Sequence, residues 1–208
     1  MFQVVCTMKE KETCYIKCKV DAAGNKVDEV LNKDKQLKFN IILRSFNRSA
    51  DLADLEADEK LERAQHHKDK GTDLFRLKRL NFAIKRYEKA TNIVTAITDT
   101  TDLPESLQNQ CKTLKCHCYL NLAACHLKEE RYEKAINCAK HALEIEENNV
   151  KGLFRRGQAR FKLHQYSEAL EDIQKVLVIE PHNKAAQNEL TAVQQAVQKE
   201  KKMYQKMF

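Results

Sequence analysis

Five polar side chains stand at spacings that could grip an anion: Lys68 and Thr72, four residues apart, Lys151 and Arg155, again four apart, and Asn121 between the two pairs. Residues at i and i+4 share one face of a helix, so each pair projects in one direction. Lysine and arginine form charge-assisted hydrogen bonds with carboxylates, each worth about 1.5 to 3 kcal/mol before desolvation is subtracted. A primary amide both donates and accepts, so Asn121 would fix a ligand's register rather than supply charge. The chemistry on offer is recognition of carboxylates, not bond breaking. The plainer reading, solvated cations on exposed helix faces, describes most of the 37 basic residues.

The other reactive side chains do not assemble into a catalytic pattern. Cys6, Cys14, Cys18, Cys111, Cys116, Cys118, Cys125 and Cys138 show no Cys-x-x-Cys pairing, which argues for free thiols rather than disulfides or zinc. Cys111, Cys118 and Cys125 recur every seven residues, the period of one helix face, where a thiol packs as a small apolar group. The seven histidines, His66, His67, His117, His126, His141, His164 and His182, have no partnered Ser, Cys or acidic cluster, so packing or surface roles are expected. No catalytic residue, metal site or cofactor is expected.

The 208 residues, 42% hydrophobic and 32% charged, have the composition of a water-soluble globular chain. Only 4 Gly and 2 Pro serve the whole length, which favours long helices with few tight turns. The N-terminal run MFQVVCTMKEKE lacks a secretory signal pattern and no stretch approaches the roughly 20 apolar residues of a membrane span, so the cytoplasm, or the nucleus, is the expected location. A net charge of +7 favours acidic partners. Nucleic acid is set aside because no recognition motif is present and the basic positions are mixed with Asn and Thr rather than aromatics.

Two elements precede the helices. Residues 12–20 alternate Cys14, Ile16, Cys18 and Val20 against Tyr15, Lys17 and Lys19, and a second run, LKFNIILRSF, places Leu37, Phe39, Ile41 and Leu43 on one face. Both have the period of a half-buried strand, with a Gly24-Asn25 turn signal between them. From Asp51 the spacing becomes helical and an internal repeat emerges. Ala83, Ala135 and Ala169 are each followed seven residues later by Ala90, Ala142 and Val176. Ala135 to Ala169 is 34 residues, the tetratricopeptide-repeat (TPR) period. Ala83 to Ala135 is 52, the same period plus an 18-residue insertion around TAITDTTDLPES.

Gly71, Ala123 and Gly157 fill one equivalent slot in the first helix of each pair, where the second helix approaches too closely for a large side chain. Tyr87, Tyr132 and Tyr166 are read as packing knobs, and Pro181 as the stop of the third pair. The final segment spaces Ala186, Leu190, Val193, Val197, Tyr204 and Phe208 as an apolar stripe, suited to capping the stack. Beyond Val197 the basic run KEKKMYQKMF also has the composition of a calmodulin target or an anionic-surface binder, beside the plainer reading of a solvated helix end.

The fold expected is mainly α: a three-repeat TPR solenoid with a C-terminal capping helix, preceded by a small β segment. The expected division is a β segment at 1–48, a linker at 49–60, repeats at about 61–98, 105–147 and 150–181, and the capping helix at 183–208. The first helices of the pairs line the groove of such a stack. With the Gly/Ala slot counted as position eight, Lys68 and Thr72 fall at positions five and nine of repeat one, Asn121 at position six of repeat two, and Lys151 and Arg155 at positions two and six of repeat three.

In those positions the chain resembles the carboxylate-clamp TPR family, which holds Lys, Asn, Asn, Lys and Arg there. Four of the five match; Thr72 stands where that family has Asn, as in the KGT sequence of immunophilin co-chaperones. The resemblance implies binding of the acidic C-terminal Glu-Glu-Val-Asp of heat-shock protein 90 or its 70-kilodalton counterpart. More widely, TMKEKETCYIKCKV, LKFNIILRSF, DLEADEKLERAQHHKDKGTDLF, NVKGLFRRGQARF and QKEKKMYQKMF are similar to the C-terminal part of FKBP-type immunophilins. By that resemblance residues 1–48 correspond to the last strands of an FKBP domain, whose prolyl pocket has no counterpart here, as in the FKBP-like branch with a degenerate isomerase domain. A non-catalytic adaptor is therefore expected. A basic TPR scaffold for another acidic ligand is the alternative, and a peptidyl-prolyl isomerase the less favoured one.

Overall fold

The computed structural model describes residues 13–19, 36–42, 52, 54–99 and 103–207. The chain divides into two compact units, Met1–Asp51 and Leu52–Phe208. In the first unit, β1 (Thr13–Lys19) and β2 (Gln36–Ile42) pair antiparallel. The register sets Cys14 opposite Ile41, Ile16 opposite Phe39 and Cys18 opposite Leu37, so the alternating apolar positions of the two strands are in register. Gly24-Asn25, Val20 and Leu43 lie outside the described residues.

The second unit is helical: α1 (Ala57–Arg76), α2 (Leu80–Thr98), α3 (Glu105–Lys128), α4 (Tyr132–Ile145), α5 (Val150–Lys162), α6 (Tyr166–Ile179) and α7 (Lys184–Met207). Consecutive helices pack as hairpins, and α1 also touches α3 while α3 touches α5. The second helices, α2, α4 and α6, do not touch one another. First helices therefore line the inner curve of the stack and second helices its outer curve, the geometry of a TPR superhelix. No described helix is long and apolar enough to cross a membrane.

The small-residue repeat read from the sequence is the packing seam. Ala83, Ala90, Ala135, Ala142, Ala169 and Val176 are all fully buried. At the glycine slot, a Cβ on Gly71 would stand 2.7 Å from the Tyr87 ring, and one on Gly157 2.8 Å from Ile173 Cδ1. Each slot residue has its counterpart sixteen positions on: Tyr87 for Gly71, Ile173 for Gly157, and Ala139 for Ala123. The two glycines face large side chains, which is why no Cβ fits there. Tyr87 is thus not the counterpart of Tyr132 and Tyr166: it is buried in mid-helix, whereas those two open α4 and α6 and are only half-buried.

The scarcity of glycine does not leave the turns loose. Lys78, Glu130 and His164 adopt φ of 58°, 58° and 60°, a left-handed conformation normally given to Gly or Asn at a helix C-terminus. Behind each, the same bond closes the turn: Arg79, Arg131 and Gln165 donate their N–H to the carbonyls of Leu74, His126 and Arg160. Part of the expected linker at 49–60 is helical, because α1 begins at Ala57, where the Glu59 carboxylate accepts the Glu56 N–H. Leu52 and Ala57 pack on the core.

At the other end, Ala186 joins the cluster of Leu143, Leu153, Ile173 and Val176, with Leu190 against it. The first half of α7 therefore covers the apolar face that repeat three would otherwise expose. Asn183 starts the helix by accepting the Ala186 N–H. Phe208 lies outside the described residues.

Candidate functional site

α3 is the middle of the inner curve, and three of its residues, Cys118, Asn121 and Cys125, lie at the i, i+3, i+7 spacing of one helix face. The two thiols are fully buried, and burial pushes each up to about 12. What pulls against that shift locates the neighbours. The Lys68 ammonium on α1 acts on Cys118, and the Arg155 guanidinium on α5 acts on Cys125. The charges of Lys68 and Arg155 thus both act on buried thiols of the α3 face that carries Asn121.

Arg155 is the most firmly placed of the five. Its Nη1 donates to the Leu120 carbonyl at 2.6 Å, tying α5 to α3 across the groove. Burial lowers its pKa from the ordinary value, but arginine keeps its proton in proteins, so a half-buried cation with unused donors remains. Lys151 sits four residues ahead on α5 and is exposed. It follows Asn149, which caps α5 by accepting the Gly152 N–H at 3.0 Å.

Lys68 is already engaged. Its Nζ stands 2.9 Å from Asp69 Oδ1, and Asp69 also accepts from the Gln65 amide at 3.1 Å. The bond from Lys68 holds the Asp69 carboxyl below its usual range. A ligand carboxylate reaching Lys68 must share or displace that partner. An adjoining cleft of about 410 Å³ is lined by Leu61, Glu62, Gln65, His66 and Asp69 of α1 and Gln110 of α3.

Thr72 stands differently from the expectation of a donor. Its hydroxyl donates to the Lys68 carbonyl at 3.1 Å and accepts from Tyr87 Oη at 3.2 Å. A hydroxyl has one proton, and here it is spent within the helix, leaving Thr72 to orient Tyr87 behind the groove wall. Thr72→Val should accordingly change affinity for an acidic peptide by less than about threefold, measured by titration calorimetry, since only a neutral interaction of about 1 kcal/mol is disturbed.

The histidines take packing or surface positions. His67 is buried, and burial, with Lys89 and Arg86 nearby, lowers it to about 4. It is therefore neutral at pH 7, and its Nδ1 lies 3.1 Å from Arg86 Nη1, placed to accept a hydrogen bond. His117 is exposed between the buried Cys116 and Cys118. Among the described residues no cluster of His, Cys, Asp or Glu could hold a metal ion.

Sequence reasoning missed a second basic pair. Arg156 and Arg160, four apart on α5, both bond Asp172 of α6: Arg156 Nε and Nη2 at 2.9 and 2.7 Å, Arg160 Nη1 at 2.7 Å. Asp172 is buried, and the two guanidinium groups nearly so. Adjacent arginines thus part company: Arg155 bonds the Leu120 carbonyl of α3, and Arg156 locks its own hairpin.

The same architecture occurs in known proteins. Residues 116–149 and 150–183 each match the tetratricopeptide repeat family. Over 177 residues the chain is 36% identical to peptidyl-prolyl cis-trans isomerase FKBP4 of Bos taurus, a match covering 83% of this chain and 38% of that protein. The C-terminal TPR-containing domain of a Plasmodium falciparum putative FK506-binding protein aligns with a TM-score of 0.68 at 29% identity, covering 73% of this chain and 99% of that one. The first TPR of Spaghetti (RPAP3), solved bound to the HSP90 peptide SRMEEVD, aligns at 0.54 and 26% identity, over 65% of this chain and 96% of that one. The helical unit is a tetratricopeptide-repeat domain homologous to the matching region of FKBP-type immunophilins such as FKBP4.

Proposed function

We propose that this chain is a non-catalytic adaptor whose groove binds the acidic C-terminal peptide of heat-shock protein 90, or of its 70-kilodalton counterpart. What supports this reading most is the bond from Arg155 to the Leu120 carbonyl, which sets a cation beside Asn121 of α3, with Lys151 one turn from Arg155 and the Lys68 charge acting on the same α3 face. A chain ending in Asp brings two carboxylates to one point, which two lysines and an arginine complement in charge. The Spaghetti domain, of like fold, takes a peptide ending in Glu-Glu-Val-Asp. Thr72 contributes by setting the wall rather than by gripping the ligand.

The strand pair Thr13–Lys19 and Gln36–Ile42 we assign to the end of an FKBP-like domain. The 177-residue match to FKBP4 is longer than the helical unit Leu52–Phe208 and so reaches into the first unit. A location in the cytoplasm or nucleus belongs to the same proposal. The rival reading, a basic scaffold for another acidic ligand, rests on the net charge of +7.

Titration with a Glu-Glu-Val-Asp peptide as the free acid and as its C-terminal amide separates the two. The clamp requires amidation to remove most of the affinity, and binding to weaken steadily as salt rises. Equal affinity of acid and amide would leave only the scaffold.

A further inference from the structure

The 18-residue insertion between repeats one and two has a structural consequence away from the groove. α2 has 19 residues and α3 has 24, whereas α4 and α6 have 14 each and α5 has 13. The family match to repeat two begins only at residue 116, so the start of α3 overhangs the repeat. Where that overhang passes the end of the shorter α4, a cleft of about 460 Å³ opens. It is lined by Thr98 from the end of α2, Lys112, Lys115 and Tyr119 from α3, and His141, Glu144 and Ile145 from α4.

The lining is chemically divided. Lys112, Lys115 and Tyr119 follow the i, i+3, i+7 spacing of one helix face. Neither lysine has an ion-pair partner among the described residues. The one carboxylate in the cleft, Glu144, is held 3.0 Å from His141 Nδ1. Tyr119 lies against the His141 ring, centroids 5.0 Å apart, and with Ile145 it makes a flat, half-buried apolar floor. The next repeat has nothing similar: 34 residues on, Glu146, Asn149 and the buried Leu153 replace the two lysines and the tyrosine.

We propose that this cleft is a second peptide-binding site, taking an internal acidic segment in which an aromatic side chain precedes two or three carboxylates. The ring would stack on Tyr119 and His141, and the carboxylates would reach Lys115 and Lys112. Seven residues of helix span about 10 Å, the length of about three extended residues, which sets the separation between ring and last acid. The volume falls within the range of ordinary ligand sites, about 300 to 1,000 Å³. Unlike the groove, this site makes no use of a free chain end, and it stands apart from the groove reading.

The test is an NMR titration of the whole chain with Ala-Phe-Ala-Glu-Glu-Ala-Ala, acetylated and amidated so that it offers no terminal carboxylate. Amide shifts should move at Lys115, Tyr119 and His141, equally in wild type and in Arg155→Ala. The Lys112→Glu/Lys115→Glu variant should lose at least tenfold in affinity, and Lys112→Gln/Lys115→Gln a smaller factor, with unchanged helical circular dichroism in both. Replacing the peptide's Phe by Ala should weaken binding as well. Shifts centred on Asn121, Lys151 and Arg155, unchanged affinity in the charge-reversed variant, or no shifts at millimolar peptide would each overturn the proposal.

Discussion

Lys151→Ala will weaken binding of a free-acid Glu-Glu-Val-Asp peptide at least tenfold without moving the melting temperature, while Arg155→Ala will weaken it as much and lower the melting temperature by a few degrees. The two residues are one turn apart but differently embedded. Lys151 is exposed and its side chain makes no hydrogen bond or ion pair among the described residues, so its removal deletes a charged contact to ligand and little else. Tenfold corresponds to about 1.4 kcal/mol, at the low end for a hydrogen bond to a charged group. Arg155 also ties α5 to the Leu120 carbonyl, and losing that bond costs the fold about 1 kcal/mol. Titration calorimetry and thermal unfolding on the same preparations check both halves. A Lys151→Ala protein that binds normally would remove Lys151 from the site.

The largest effect on stability is expected at Asp172. It is the shared acceptor for Arg156 and Arg160, all three largely withdrawn from water. Removing one partner of a buried ion pair leaves the opposite charge uncompensated and costs about 3 to 5 kcal/mol. Asp172→Ala should therefore lower the melting temperature by roughly 10 °C, since a domain of this size loses about 2 to 4 °C per kcal/mol. Asp172→Asn, which keeps one acceptor oxygen, should lose less. A triple replacement that also makes Arg156 and Arg160 into methionine should recover much of the loss, because apolar substitutes for a buried ion network are often neutral or stabilising. Differential scanning calorimetry of the three proteins decides the matter.

The stack was legible in the sequence because its seams demand small residues at fixed steps. Ala83, Ala135 and Ala169 are fully buried in the packed helices, and the 34-residue step from Ala135 to Ala169 shows the period directly. The five candidate positions were read from the same frame. Less legible was what each groove residue does. That Lys68 is bonded to Asp69, or that the Thr72 proton is spent on a backbone carbonyl, depends on rotamers rather than on spacing.

The misgrouping of Tyr87 with Tyr132 and Tyr166 has a similar origin. An aromatic at a helix start and one facing a glycine slot look alike until the second helix is laid against the first. The three left-handed turns at Lys78, Glu130 and His164 carry no compositional signal, because the usual marker, glycine, is absent from all of them. The partition of Arg155 and Arg156 was likewise hidden: adjacent residues on a helix point about 100° apart, and only tertiary packing tells which direction is the groove.

The contact of α1 with α3 and of α3 with α5, with none between α1 and α5, makes the gap between Lys68 and Arg155 the sum of two springs in series. Neither cation is fixed relative to the other except through α3. A change of side-chain volume in either seam, far from both cations, would widen or narrow that gap and, on the proposed function, retune affinity without altering a candidate binding residue.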